Sequence, residues 1–405
     1  MIKIGRDSVL LLAPAIYLFV LPLAHTVALR SIAFGVSALL LIWVRRIYAA
    51  PPIPLKAAFT AWFVAALLSL IWAVYPEFTI GEIKAEIVCG FLTFCVFFSL
   101  TRGRRELDLW LTLLAAASLV TGAAALIQFV NDRSPYEVGM HGGALYYSAF
   151  LVTVIPIFLA ASLFWPAPRR IAVLVLVVFL LLTAYVTKNR GFWLSLIVEL
   201  AIFGYLYLQR LNLNAARRKL IVATMVAALV ATTATFLTVS AERHRSYGWT
   251  GEVLSGTIKN DRRPGLWKDN IAWIAEHPWK GAGFGRMVRS REMQQQQGDI
   301  NHTHAHNIVL NYAIQLGLLG PLVLGLLVFS VVRELWKTTR MADRDVRVLG
   351  IAGLAIVGGV FGVEGMIEDL FVQHLGLLFW ALVGMILGYA SNASRGASLA
   401  TAPAR

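Results

Sequence analysis

About twelve apolar runs, each near the roughly 20 residues needed to cross a bilayer's hydrocarbon core, constrain this chain more than any motif does. They centre near Leu18, Val36, Ala65, Leu92, Ala116, Val154, Leu176, Leu200, Ala228, Leu322, Ala355 and Ala381. Composition agrees: 58% of residues are hydrophobic, mean hydropathy is +0.70 and 14% are charged, where a soluble domain carries about a quarter. A soluble globule is excluded. The expected fold is an all-α polytopic membrane protein of about 12 transmembrane helices, with one long, partly helical loop between spans 9 and 10. Residues 1–240 would hold spans 1–9, 241–306 the loop, 307–391 spans 10–12, and 392–405 a tail.

Basic residues set the expected orientation. With the N-terminus cytoplasmic, most of the 36 lysines and arginines fall in cytoplasmic segments, such as Arg45 and Arg46, Arg102 to Arg105, Arg169 and Arg170, and Arg210 to Lys219, as the positive-inside rule requires. Both termini are then cytoplasmic and the long loop faces out. All eight histidines lie on or near that outer face. The first run, behind Lys3 and Arg6, reads as a retained signal anchor. Cys89 and Cys95 share the fourth span and read as inert core thiols, so no disulfide framework is expected. The net charge of +14 is explained by anchors beside anionic membrane lipids. No recognition motif supports nucleic acid as a partner.

The outer loop is the one long polar interval. Pro264 suits the first turn of a helix, and Trp267, Ile271 and Ile274 recur at helical spacing, predicting an amphipathic helix that ends before Pro278. Gly281, Gly283 and Gly285 then make a turn into a second predicted helix, near 284–296, with Arg286 and Arg289 on one face. A glycine turn opening a helix beside arginines is either a phosphate cradle or a plain joint. Arg190 occupies the short hairpin Lys188-Asn189-Arg190-Gly191, where a guanidinium at membrane depth needs an anionic partner. Arg190, Arg263 and Arg286 could grip phosphate oxygens bidentately if the loop folds back over the bundle; contact with lipid headgroups is the alternative. Trp249, Trp267, Trp273 and Trp279 either stack on sugar rings or pack the loop down.

Three histidines close the loop in Asn301-His302-Thr303-His304-Ala305-His306-Asn307, ahead of the apolar run 308–330. In an extended segment His302, His304 and His306 point to one side, which would suit zinc, yet Asp299 is the only acid close in sequence. Alternatively His306 is a general base that takes a proton from a hydroxyl, or His306 and Asn307 simply cap the next helix. The arginine-rich setting favours the base, without metal. Glu364, Glu368, Asp369 and His374, between the last two spans, should line the same mouth.

At this point the chain resembles a family. Thr187-Lys188-Asn189-Arg190, then Arg263-Pro264-Gly265-Leu266-Trp267, then His277-Pro278-Trp279-Lys280-Gly281-Ala282-Gly283-Phe284-Gly285, then His304-Ala305-His306-Asn307 with Gly317 and Gly320, are similar to successive signatures of the O-antigen ligase family. Gly139-Met140-His141-Gly142-Gly143, with Ala149 and Pro156, resembles its upstream element. One departure is Asn189, where the family often has serine. The resemblance implies transfer of a glycan from an undecaprenyl-diphosphate-linked O-antigen donor to a lipid A-core acceptor, on the periplasmic face of the bacterial inner membrane and without cofactor. By motif, His306 would be catalytic, Arg190 and Arg263 would hold the diphosphate, and His304, Arg286, Arg289, Asp369 and Trp267 would contact substrate. O-antigen polymerases and protein O-oligosaccharyltransferases share these signatures, so the acceptor stays open. A lipid-linked glycan flippase is the reading from another class, but flippases and transporters usually show repeated halves with broken helices, and here the polar residues gather in one unrepeated loop.

Overall fold

A computed structural model of the chain describes residues 6–23, 25–47, 51–132, 143–246, 263–289, 304–369, 371 and 373–400. Every regular element among them is helical. That is the bilayer's own demand, because a helix satisfies each backbone N–H and C=O within one segment. All twelve apolar runs are helices. Ten are long and apolar enough to cross a membrane, while those at Val9–Val20 and Lys56–Ile71 are shorter.

In chain order the helices are α1 (Arg6–Val20), α2 (Val27–Ile47), α3 (Lys56–Leu68), α4 (Pro76–Leu100), α5 (Arg104–Asp132), α6 (Ala144–Phe164), α7 (Ala167–Val186), α8 (Arg190–Arg210) and α9 (Ala215–Ser246). They continue with α10 (Arg263–Glu276), α11 (Ile308–Leu316), α12 (Leu319–Thr338), α13 (Arg344–Ile367) and α14 (Gln373–Ala400). Two of the long helices contain a π turn, Ile83–Val88 in α4 and Val360–Glu364 in α13. Such bulges recur at functional positions, and the second lies one turn before the segment that carries Glu368.

The core is formed by α4, α6, α13 and α14, where Phe94, Phe98, Phe150, Phe158 and Trp380 are fully buried. Gly384 and Gly388 of α14 lie against the backbone of α4: a Cβ on Gly384 would sit 2.6 Å from the Phe94 carbonyl oxygen. Small residues four apart let two membrane helices approach this closely. At the other extreme, only 6% of the apolar window of α9 is buried. It packs mainly on α8 and runs on to Ser246, so the polar interval opens a turn and a half later than the pattern of apolar residues indicates.

Two expectations about the loop are corrected. The run 308–330 is not one membrane helix, because Gly317 adopts a φ of 64° and breaks it into the short α11 and the membrane helix α12. The break is anchored by the loop: Leu318 N–H donates to the Pro278 carbonyl (2.8 Å), and Ala282 N–H to that of Ile314 (2.8 Å). The histidines therefore precede a short helix rather than the mouth of a span. Nor does a helix start at Phe284. Gly283 and Gly285 hold φ values of 105° and 135°, which L residues rarely adopt, and residues 281–287 form an irregular segment with only Val288 and Arg289 helical. Phe284 plugs this segment into the bundle against Trp62 and Tyr312. The remainder of that predicted helix, with Gln294 to Gln297, lies outside the described residues. By contrast α10 begins beside Pro264 and ends before Pro278, as its sequence indicates.

Candidate active site

The site gathers at one end of the bundle, where 304–307, α10, the segment after α13 and the starts of α6 and α8 meet. Glu368 is its centre. His304 Nε2–H donates to Glu368 Oε1 at 2.7 Å, and His306 Nδ1–H reaches both carboxylate oxygens at 2.7 Å. The two imidazoles lie 4.0 Å apart, ring to ring, and Arg263 Nη2 stands 3.8 Å from Glu368 Oε2. The Glu368 side chain is 4% exposed. Burial pushes its carboxyl up, but the hydrogen bonds from His304 and His306 outweigh this and bring it down to about 2. It is therefore an acceptor only, which puts the facing protons on the histidines. On His306 the free nitrogen is then Nε2.

Exposure separates the two rings. The side chain of His304 is 7% exposed and that of His306 is 28% exposed, so His306 is the one a substrate can reach. Burial pushes the imidazolium of His304 down, and the neighbouring Arg286 guanidinium adds to this, against the raising hydrogen bond to Glu368. His304 is thus a neutral donor that holds Glu368 in place. His306 adopts a φ of 48°, a left-handed conformation that is uncommon outside glycine and concentrates at functional sites.

The backbone beneath these rings is tied on three sides. Asn307 caps α11, accepting from Leu310 N–H at 3.0 Å and donating to the Met366 carbonyl at 3.0 Å. Asn311 Oδ1 accepts from Ala305 N–H (2.9 Å), and its amide donates to Asp369 Oδ2 (2.6 Å). Trp267 Nε1–H donates to the Ala305 carbonyl at 2.9 Å. The cap of α11 is thus Asn307, while the His306 side chain hydrogen-bonds to Glu368 instead.

The residues singled out from sequence divide accordingly. Arg263, His304 and His306 converge on Glu368. Asp369 joins through Asn311 and does not touch the histidines; its carbonyl accepts from Arg286, whose other arm lies 3.4 Å from the Tyr146 hydroxyl. Burial lowers the guanidinium of Arg286, but Asp369 and Tyr146 raise it further and keep it cationic. Arg289 turns away to Asn270 (2.6 Å) and over Trp273, whereas Arg286, ahead of the helical residues Val288 and Arg289, reaches Asp369 and Tyr146. Trp267 holds the histidine strand, Trp273 stacks on His277, and Trp279 is exposed. Arg190 opens α8 at this same end, next to Gly191, which packs against Ile367 and Glu364. Asn189 answers the departure from serine by capping α8 through Gly191 N–H (2.9 Å) and donating to Ser148 Oγ (2.5 Å). His302, His141, Asp299 and Trp249 lie outside the described residues.

Sequence reasoning placed Glu368 at the mouth with Glu364, Asp369 and His374, but put only Asp369 of these among the site residues. Neighbours 62 or 64 residues apart leave no spacing signal. Glu368 also alters the metal question. His304, His306 and Glu368 offer three ligand atoms within 4.8 Å of one another, a set that fits a three-ligand zinc site, although Arg263 beside Glu368 opposes a cation there.

An all-helical, polytopic membrane protein with a buried histidine–glutamate–arginine cluster at one membrane end is the class defined by these observations. Residues 175–325, which hold Arg190, Arg263 and His306, match the family model described as O-Antigen ligase. An O-antigen ligase from Pseudomonas aeruginosa is 26% identical over 276 residues, covering 67% of this chain and 62% of the relative. Over these residues the chain is similar to the O-antigen ligase family.

Proposed function

We propose that the protein transfers a glycan from undecaprenyl diphosphate to a hydroxyl of the lipid A-core oligosaccharide, at the periplasmic face of the inner membrane, in one inverting displacement. The observation that carries this reading is the exposed His306 with Nδ1–H held by the buried Glu368. A carboxylate behind an imidazole fixes its tautomer and stabilises the imidazolium that forms.

In the step, His306 Nε2 takes the proton from the acceptor hydroxyl as its oxygen forms a bond to the anomeric carbon. The bond from that carbon to the diphosphate oxygen breaks, and undecaprenyl diphosphate departs with the electron pair. Arg263, beside Glu368, and Arg190, at the head of α8, take up the charge on the leaving phosphate. Arg286 extends the positive rim towards Tyr146. The leaving group is already stable, so no general acid is required. Contact between substrate and His304, Asp369, Trp267 or Arg289 is not part of this reading, because hydrogen bonds within the protein hold each of them.

Transfer by purified protein in detergent with EDTA, from undecaprenyl-diphosphate-linked glycan to lipid A-core, tests it. Product from wild type and none from His306→Ala is the expected result. Activity that needs added zinc would assign His304, His306 and Glu368 to a metal instead, and transfer to a growing glycan or to protein alone would make the enzyme a polymerase or a protein glycosyltransferase.

A further inference from the structure

At the end of the bundle away from the histidines, α1, α5 and α7 enclose a cleft of about 520 Å³ lined by Leu11, Arg105, Asp108, Leu109, Thr112 and Arg169. Arg105, Asp108, Thr112 and Arg169 give it polar lining, and Leu11 and Leu109 apolar lining. Asp108 is shared: Arg104 Nε donates to it at 2.9 Å, Trp165 Nε1 at 2.7 Å, and Arg169 stands 3.6 Å away. Arg104 also pairs with Asp345 at 2.5 Å. The cleft lining carries two arginines, Arg105 and Arg169, and one acid, Asp108, a net positive charge.

Helix geometry adds to that excess. α5 and α7 both begin here, so the positive ends of two long helix dipoles point at the cleft. α7 carries Arg169 and Arg170 in its first turn and no acid there, the reverse of what a helix start favours. An external anion would relieve this. Trp165, with its indole N–H on Asp108, sits as an interfacial tryptophan does, at headgroup level. Towards the membrane middle the exposed side chains are apolar, with Leu12 and Ile16 on α1, Leu119 on α5 and Leu174 on α7.

We infer that this cleft binds the headgroup of an anionic phospholipid, with its phosphate between Arg105 and Arg169 and its acyl chains along the exposed faces of α1, α5 and α7. The apolar lining residues Leu11 and Leu109 and the exposed apolar side chains further along α1, α5 and α7 fit a lipid rather than a free anion. The site is distinct from the donor and acceptor sites, which lie at the opposite membrane end.

The test uses the full chain reconstituted with equal phosphatidylglycerol and phosphatidylethanolamine, followed by native mass spectrometry of the lipids retained. Wild type is expected to keep phosphatidylglycerol in preference. Each arginine near an anionic headgroup contributes about fivefold, so Arg105→Ala with Arg169→Ala should lower that preference by about 25-fold while transferase activity is unchanged. Equal retention of the two lipids by wild type overturns the inference, and this arm does not depend on the variant folding. An unchanged preference in a folded double variant also overturns it, as does displacement of the lipid from wild type by inorganic phosphate.

Discussion

The two ends of the bundle each place arginines around a carboxylate, and they do so to different effect. At the histidine end Glu368 is 4% exposed and is shared by two imidazoles and Arg263. At the other end Asp108 is 23% exposed and is shared by Arg104, Arg169 and the Trp165 indole. A buried carboxylate whose partners were removed would lie uncompensated in a low dielectric, so the whole histidine cluster depends on it. A half-solvated one is screened, and ion pairs of that kind contribute about 0–1 kcal/mol. The same residue types therefore build a buried cluster at one end and a partly solvated one at the other.

Substitutions sharpen this contrast, beginning with the largest effect. His306→Ala should reduce transfer by about 10²- to 10⁴-fold, the range for loss of a general base, with thermal stability near wild type because the ring is partly exposed. Wild-type rates in that variant would remove His306 from the mechanism. Glu368→Gln should cost about a hundredfold in rate and also about 1–3 kcal/mol in stability, since the buried His304 and the partly exposed His306 then share a poorer acceptor; thermal unfolding in detergent reads the second quantity. A variant that loses activity at full stability would make Glu368 a group for chemistry alone.

Smaller effects follow with distance from the hub. Asp369→Asn reaches the histidines only through Asn311 and Ala305, and Asn can still accept the Asn311 amide, so a loss of no more than about tenfold is expected, about 1.4 kcal/mol in transition-state terms. A rate as low as that of Glu368→Gln would place Asp369 in the reaction. Asp108→Asn, at the far end, should leave transfer unchanged and shift stability by less than about 1 kcal/mol.

pH separates the ends as well. The folded value of Glu368 lies below that of the unfolded chain, so its contribution is complete above the usual carboxylate value, near 4.3, and is lost as pH falls through about 2. The folded value of His304 is also lowered, so the folded chain binds fewer protons than the unfolded one below about 6.5, and stability falls there on acidification. Melting temperature should be flat from pH 8 to about 7 and decline below it, and His304→Gln should remove the upper part of that decline. A profile with the same slope in both proteins would discount His304.

Much of the fold was legible in the sequence because lipid removes alternatives. A run of about 20 apolar residues has one stable use, and every run from Leu18 to Ala381 is a helix. The helix after Arg263 was equally readable, since Pro264, the apolar spacing and Pro278 mark its ends locally. Misreadings arose where a local pattern yielded to a distant partner. The run 308–330 is apolar throughout, yet Gly317 breaks it because the loop at Pro278 and Ala282 hydrogen-bonds to that break. Arg286 and Arg289 have helical spacing, yet Gly283 and Gly285 bend the chain so that Phe284 can enter the bundle.

The sequence by itself determined a helical membrane protein, because hydrophobic length is a local property, and it supplied the candidate site residues by side-chain type. Which of those residues meet was decided only in three dimensions. Glu368 lies more than sixty positions from both histidines and carries no spacing signal, and the difference in exposure between His304 and His306 depends on how α10, α11 and the segment after α13 close around them. Burial and contact between distant segments exist only in the packed chain, and they make an ordinary glutamate the centre of the site.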